Sequence, residues 1–238
     1  MLHVPVLLEE SLDFLLNDLS GSYLDLTFGR GSHSKEILNR LSPLGKLYAV
    51  DRDLEAVSYG KDNITDKRFK IFHANYSDID VLFSEQQFNG ILLDLGTCST
   101  HLDNYSRGFS FQGEGPLDMR MDTSQGFSAK NFLNESTELE ISDVIYKYGE
   151  EKASRKIAKA IVEFRNHTLI KSTSDLVKII ESVLKRTGKK HPATKTFQAI
   201  RIHVNNELEH LEIALGKLSQ LLSQQGVIAI ISFHSLED

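Results

Sequence analysis

The order of apolar and polar positions changes character twice along the chain. An opening segment carries Val6, Leu7, Leu8, Leu12, Leu15 and Leu16 largely at helical spacing and predicts an amphipathic helix. Short apolar runs then alternate with segments of helical character. The runs 23–26, 46–50, 69–72 and 90–95 read as strands, and 34–41, 54–61 and 79–85 read as the helices among them. Strand, helix and strand at this spacing predict βαβ units, hence an α/β fold with a parallel sheet and right-handed crossovers. Ligands of such sheets sit at the carboxyl ends of the strands.

After Leu95 the alternation stops. A Gly-rich stretch from 96 to about 127 gives way to helical segments that run to about 222, with no convincing strand among them. Phe197, Ile200, Val204, Leu208, Leu211, Leu215, Leu218 and Leu222 recur at steps of three or four, which predicts one long helix with an apolar stripe facing a core. A strand at 227–233 then resumes the sheet. The pattern predicts a first domain from 1–103 and 207–238, and a mainly helical domain, 104–206, inserted into it.

Composition narrows the class. With 238 residues, 40% hydrophobic and 25% charged, the chain has the make-up of a globular protein of one or two domains. The single Cys98 excludes an internal disulfide and a CxxC zinc site, so no metal is expected. The longest uninterrupted apolar stretch, 227–231, is far shorter than the roughly 20 residues of a membrane helix. The first 20 residues hold Glu9, Glu10, Asp13 and Asp18 and no Lys or Arg, the reverse of a signal peptide. A cytoplasmic location and no membrane partner are the expectations.

The net charge of −6 conceals an uneven distribution. From Tyr146 to Arg201 there are 14 Lys and Arg against 5 Asp and Glu, leaving 13 basic and 28 acidic residues elsewhere. A basic segment on an acidic body is expected where one face meets a polyanion, and a merely solvated Lys-rich surface is the competing reading. Lys189 and Lys190 are candidate phosphate contacts.

The segment Asp25-Leu-Thr-Phe-Gly29-Arg-Gly31-Ser-His33 joins the first strand to a helix. Its glycines permit a tight turn and close approach of a ligand. Read as Gly29-x-Gly31-x-x-Ser34 it approximates a dinucleotide fingerprint with Ser in place of the third small residue. Read as Asp25-x-Thr27-x-Gly29-x-Gly31 it looks like the loop of S-adenosylmethionine-dependent methyltransferases, with Thr27 at the usual first glycine. A plain strand-to-helix turn is the third reading. Asp51 closes the second strand 20 residues after Gly31, where a carboxylate can accept both ribose hydroxyls of an adenosine ligand, and Asp53 suits the cap of the next helix. Together these favour an adenosine-containing cofactor. Tyr76 follows the third strand, placed to lie against an adenine or to fill a half-buried loop. Asp94 closes the fourth, opposite the reactive end of such a cofactor.

Several strings resemble the RsmH family, formerly MraW. They are His3-Val-Pro-Val-Leu, Thr27-Phe-Gly-Arg-Gly, Asp51-Arg-Asp, Leu92-Leu-Asp-Leu-Gly, Arg107-Gly-Phe-Ser-Phe, Gly115-Pro-Leu-Asp-Met-Arg-Met-Asp122, Tyr148-Gly-Glu-Glu, Ala193-Thr-Lys-Thr-Phe-Gln-Ala-Ile-Arg201 with Val204-Asn-Asn-Glu-Leu208, and Ser232-Phe-His-Ser-Leu-Glu-Asp238. The resemblance spans essentially the whole chain. It implies a Rossmann-like methyltransferase core with an inserted helical domain, acting with S-adenosylmethionine on the exocyclic N4 of a cytidine in the decoding region of small-subunit ribosomal RNA. The implied partner is that RNA or the small ribosomal subunit.

The same resemblance assigns cofactor contacts to Gly31, Ser32, His33, Asp51, Tyr76, Asp94 and His101. Family members usually have Gly at Ser32, Phe at Tyr76, Gln at His101, and Val-Ser-Ser-Pro where this chain has Thr97-Cys98-Ser99-Thr100. The changes from Thr97 to His101 touch the loop nearest the chemistry and put cofactor affinity or activity in question. Family members also continue for some tens of residues past the final Glu-Asp. A bare edge on the 227–233 strand, with self-association through it, is the expectation that follows.

Methyl transfer to a cytosine amine needs in-line geometry and an electron-rich nitrogen. Acceptors on its N–H groups, such as the Asp94 carboxylate or the carbonyls from Leu95 to Thr97, favour a pyramidal nitrogen and receive the proton, making Asp94 the catalytic candidate. The Asp/Asn-Pro-Pro-aromatic string that many amino-methyltransferases use is absent. The target base must leave its stack, and Phe109 or Phe111 is placed to stack on it or to serve as a core aromatic under a long loop. Asp118, Arg120 and Asp122 order that loop, contact RNA, or form a structural ion-pair cluster. His234 and Glu237 fall past the last strand, at the carboxyl edge. Two other functions stay open: a non-catalytic RNA-binding or ribosome-assembly protein that keeps the fold, and an NAD-dependent oxidoreductase, which the basic insert disfavours.

Overall fold

The computed structural model describes residues 5–185 and 191–238. They form two compact units, Met1–Cys98 with Leu208–Asp238, and Ser99–Glu207.

The first unit is built on a five-stranded sheet. Its elements are α1 (Leu8–Leu15), β1 (Ser22–Asp25), α2 (Ser32–Arg40), β2 (Lys46–Asp51), α3 (Leu54–Asn63), β3 (Phe69–His73), α4 (Ile79–Leu82), β4 (Phe88–Asp94) and, after the second unit, β5 (Leu222–Ile231). The strands run in the order β3-β2-β1-β4-β5, every neighbouring pair parallel. Strands that are apolar on both faces explain this arrangement. Leu24, Ile91 and Leu93 face a core shared with Leu211, Leu218 and Leu221. Tyr23 and Leu92, one position out of phase with those residues, face a core with Leu12, Leu15 and Ile37. The chain winds outward from β1 through β2 to β3, then crosses back to lay β4 on the other side of β1. The strand order therefore reverses between β1 and β4, the position where ligands of open α/β sheets bind.

Two elements of this unit differ from the pattern-based expectation. The helix at 79–85 is a single turn, α4, preceded by a 3-10 turn at Tyr76–Asp78. Phe83 leaves the helical path to bury its ring edge-on against Tyr48, Phe72 and Phe88, at centroid distances of 5.8, 5.6 and 5.2 Å. The last strand begins at Leu222 and ends at Ile231, displaced from 227–233. Phe88 pairs with Leu222 while Gly90 pairs with Val227, so the residues between them bulge, with Gln225 in the left-handed region at φ 66°. Phe233 lies beyond the strand and is exposed.

The second unit is helical, with α5 (Ser99–Asp103), α6 (Ala129–Glu135), α7 (Glu138–Gly149), α8 (Ser154–Arg165), α9 (Thr173–Val183) and α10 (Thr194–Val204). Its only β contact among the described residues is a bridge between Pro116 and Ser172. Two helix starts carry reciprocal caps, Thr137 with Glu140 on α7 and Ser172 with Asp175 on α9. Phe132, Ile145, Ile157, Ile161, Leu176 and Ile200 centre its core.

The apolar stripe from Phe197 to Leu222 is not one helix. It breaks into α10 and α11 (Glu207–Leu221) at Asn205 and Asn206, the latter at φ 48°. The Asn205 side chain turns inward, donating to Met119 O at 2.7 Å and Arg201 O at 2.8 Å and accepting from Met121 N at 2.7 Å. These bonds serve backbone groups of a buried loop, and Asn tolerates the left-handed step that follows. Phe197 and Ile200 accordingly belong to the helical core, whereas Leu211 and Leu218 belong to the sheet. No helix among the described residues is long and apolar enough to cross a membrane.

Candidate active site

The carboxyl ends of β1 and β4 bring Asp25, Asp94 and the Gly loop together. Gly29 and Gly31 sit at φ 54° and 69°, the left-handed region that side chains resist, and Gly31 precedes the first residue of α2. Thr27, where a glycine is usual in the loops it resembles, ties the two strands: its Oγ1 accepts from Asp94 N at 2.6 Å. Asp25 is buried and accepts from Ser34 Oγ at 2.6 Å and Thr27 N at 3.1 Å. Burial holds its carboxyl above the usual range, and the Ser34 bond only partly offsets this.

Asp51 closes β2 and fixes the loop. Its Oδ2 accepts from Gly29 N at 2.7 Å and its Oδ1 from Asp53 N at 2.8 Å. A carboxylate offers about four acceptor sites, so one side chain can serve several donors at once. The first loop amide is thereby committed to a carboxylate, which disfavours a pyrophosphate at that position. Asp53 caps α3 by accepting from Glu55 N at 2.9 Å. Tyr76 begins the 3-10 turn after β3 and packs, partly buried, against the core of the sheet. The preceding Asn75 bonds His210 Nδ1 at 3.0 Å, a link across 135 residues that no local pattern signals.

His33, the second residue of α2, is 6% exposed, and its Nδ1 lies 3.7 Å from Asp94 Oδ2. Two buried atoms beside this contact, His33 Nε2 and Asp94 Oδ1, have no hydrogen-bond partner among the described residues. Orphaned groups of this kind cost about 1–3 kcal/mol each unless a ligand or water satisfies them. The Asp94 carboxyl is pushed up to about 6, first by burial and then by the charges of Asp25 and Glu237, against the opposing pull of His33. Carboxyl groups gathered at the switch point suit a cationic ligand such as a sulfonium, whose charge favours their ionised forms, better than a dinucleotide's phosphates. Past β5, His234 Nε2 approaches Glu237 Oε1 at 3.1 Å.

The remaining candidates belong to the second unit. His101 is buried in α5 and stacks on Phe109 at 4.8 Å, and Phe109 is itself 5% exposed. Phe111 is partly buried, stacked on His191 at 4.8 Å and edge-on to Phe197 at 5.4 Å. Neither phenylalanine presents an open face for a base. Arg120 forks onto Asp118, Nε to Oδ1 at 2.9 Å and Nη2 to Oδ2 at 2.7 Å, while Asp122 accepts from Ser124 and Gln125. Arg107 Nη2 donates to the carbonyls of Arg120 and Met121, both at 3.0 Å. These bonds order the Gly115–Asp122 string from within. Lys189 and Lys190 lie outside the described residues.

Sequence reasoning singled out the strand-end acids but not the Ser34 and Asp25 pair or the contact of His33 with Asp94. A polar residue directly after a Gly loop, followed by an unexplained Ser, was the available signal.

Known proteins align with the chain throughout. "Ribosomal RNA small subunit methyltransferase H" of Legionella pneumophila (strain Corby) is 50% identical over 242 residues, covering 99% of this chain and 79% of the relative. The proteins of the same name from Nitrosomonas europaea and Ruthia magnifica subsp. Calyptogena magnifica are 48% and 45% identical, covering 100% and 99% of this chain and 77% and 78% of theirs. Residues 1–238 match one family throughout, and with the parallel sheet and the acid-lined glycine loop at its switch point, the chain belongs to the MraW methylase family.

Proposed function

We propose that the protein is a ribosomal RNA methyltransferase that uses S-adenosylmethionine to methylate the exocyclic N4 of a cytidine in the decoding region of the small subunit. The observation that carries this reading is the pair of unsatisfied buried atoms, His33 Nε2 and Asp94 Oδ1, set among acids at the β1 and β4 ends. Relatives named as small-subunit methyltransferases support the substrate class.

In this reading Asp51 holds the ribose hydroxyls, Gly31 and Ser32 offer backbone to the cofactor, Tyr76 lies against the adenine, His33 and Asp94 complete the pocket, and the family resemblance adds His101 as a cofactor contact. When bound, the cofactor supplies an electrophilic methyl on a positively charged sulfur. Asp25 and Asp94 favour that positive charge in a partly dehydrated site. Asp94 accepts one N–H of the cytosine amine, drawing the nitrogen lone pair out of conjugation and toward the methyl. With its carboxyl at about 6, Asp94 is mostly ionised at neutral pH and able to accept. The basic 146–201 segment holds phosphates, with Lys189 and Lys190 among the contacts, and Arg120 positions the loop that Phe109 and Phe111 support.

Mass spectrometry of small-subunit rRNA after incubation with the protein and cofactor tests the reading. One added methyl on a decoding-region cytidine, at N4, is the expected product. Binding of S-adenosylhomocysteine without any methyl transfer would replace it with a non-catalytic RNA-binding role.

A further inference from the structure

The turn after β5 holds an imidazole that the cofactor site does not use. Asp94 pairs in register with Ile231, and Leu95 N donates to Ile231 O at 3.0 Å, so β5 delivers the following turn to the same carboxyl edge. That turn is closed on itself: Glu237 N donates to His234 O at 3.0 Å and Phe233 N to Glu237 Oε2 at 2.9 Å. Both side chains are withdrawn from solvent, His234 at 15% and Glu237 at 4% exposure. Glu237 Oε1 lies 3.1 Å from His234 Nε2, within ion-pair range but not in hydrogen-bonding geometry, and both buried ring nitrogens, Nδ1 and Nε2, lack a hydrogen-bond partner among the described residues. A buried imidazole beside a carboxylate, with both ring nitrogens unsatisfied, is a group able to accept a proton from a ligand that reaches it. Glu237 also acts on Asp94 through its charge, and the pairing of Asp94 with Ile231 puts the turn that carries the pair at the same edge of the sheet.

Resting on the function proposed above, we infer that His234, with the Glu237 carboxylate beside it, accepts the proton that the cytosine amine loses on methylation. The amine has two hydrogens. Asp94 takes a hydrogen bond from one, and His234 Nδ1 takes the other. As the nitrogen lone pair forms the new C–N bond, the electrons of the breaking S–C bond return to sulfur, and the nitrogen becomes positively charged. Its N–H electron pair then stays on nitrogen while the proton passes to His234 Nδ1, giving a neutral methylated base, neutral S-adenosylhomocysteine and an imidazolium beside Glu237.

The test is single-turnover methyl transfer to small ribosomal subunits by the full chain, with H234A, H234N and E237Q, each checked for S-adenosylhomocysteine affinity. H234A and H234N should lose about 100-fold or more in rate with cofactor affinity unchanged. Added imidazole should restore at least about tenfold to H234A, and E237Q should fall between these variants and the unaltered protein. A rate within about threefold of the unaltered protein in H234A overturns the inference while leaving the proposed function intact. Loss of cofactor affinity in both His234 variants, or no recovery with imidazole, also overturns it, since the residue then only holds the fold. An unaltered protein that methylates no rRNA removes the proposed function and this inference together.

Discussion

At the scale of single residues the carboxylates divide by what holds them. Asp51 accepts from the amides of Gly29 and Asp53, so the ribose contact proposed for it and the loop share one side chain. Replacing Asp51 with Ala should weaken S-adenosylhomocysteine binding by about 1.5–3 kcal/mol, or roughly 10- to 150-fold, as measured by calorimetry. Unchanged affinity in a folded D51A protein would remove the assignment. Asp94 is the opposite case, a group whose ionised form the fold disfavours. Its carboxyl is raised to about 6, so the folded protein binds that proton more tightly than the unfolded chain does. Stability from this residue is therefore lost as pH rises through the interval from the ordinary carboxylate range to about 6. D94N should raise the melting temperature at pH 7 and bring progressively less gain as pH falls toward 4. A constant difference across that range would contradict the desolvated carboxylate. The strand-end positions of both acids were legible because a Gly loop and apolar runs frame them. The partners of Asp25 and His33 were not, because Ser34 and Asp94 reach them through the fold, not through spacing.

Elements were legible where their burial is symmetrical and obscure where a tertiary hydrogen bond decides. The β1 to β4 runs are apolar on both faces, and nothing else in a short segment produces that pattern. The stripe from Phe197 to Leu222 looked continuous because α10 and α11 each supply a helical period to a different core. The residue that separates them, Asn205, has no local signature. It is 2% exposed and bonded to Met119, Met121 and Arg201. N205A would leave a buried carbonyl and a buried amide unpaired, costing about 2–4 kcal/mol. Hydrogen exchange should show the Met121 amide losing protection before the sheet amides do. Equal protection in N205A and the unaltered protein would mean that water replaces the side chain at no cost.

Across the whole molecule, charge and fold are distributed by segment. The 146–201 segment carries 14 of the 27 Lys and Arg residues and only 5 of the 33 Asp and Glu. Lys152, Arg155, Lys156 and Lys159 are exposed on or beside α8, whose buried face is Ile157, Ala158 and Ile161. Of these, Lys159 has an intrahelical partner, Glu163 at 3.7 Å, a surface pair of small energetic weight. If this basic surface meets rRNA phosphates, the logarithm of affinity for a small-subunit rRNA fragment falls linearly with the logarithm of salt concentration, by about 0.7–0.9 per phosphate contact. Reversing Arg155 and Lys156 to Glu should then flatten that slope by about 1.5 or more and weaken RNA binding at low salt. S-adenosylhomocysteine affinity should stay the same, because neither residue belongs to the cofactor loop or to the strand ends. An unchanged slope with unchanged affinity would assign α8 to solvent and confine the RNA contacts to the rest of the basic segment.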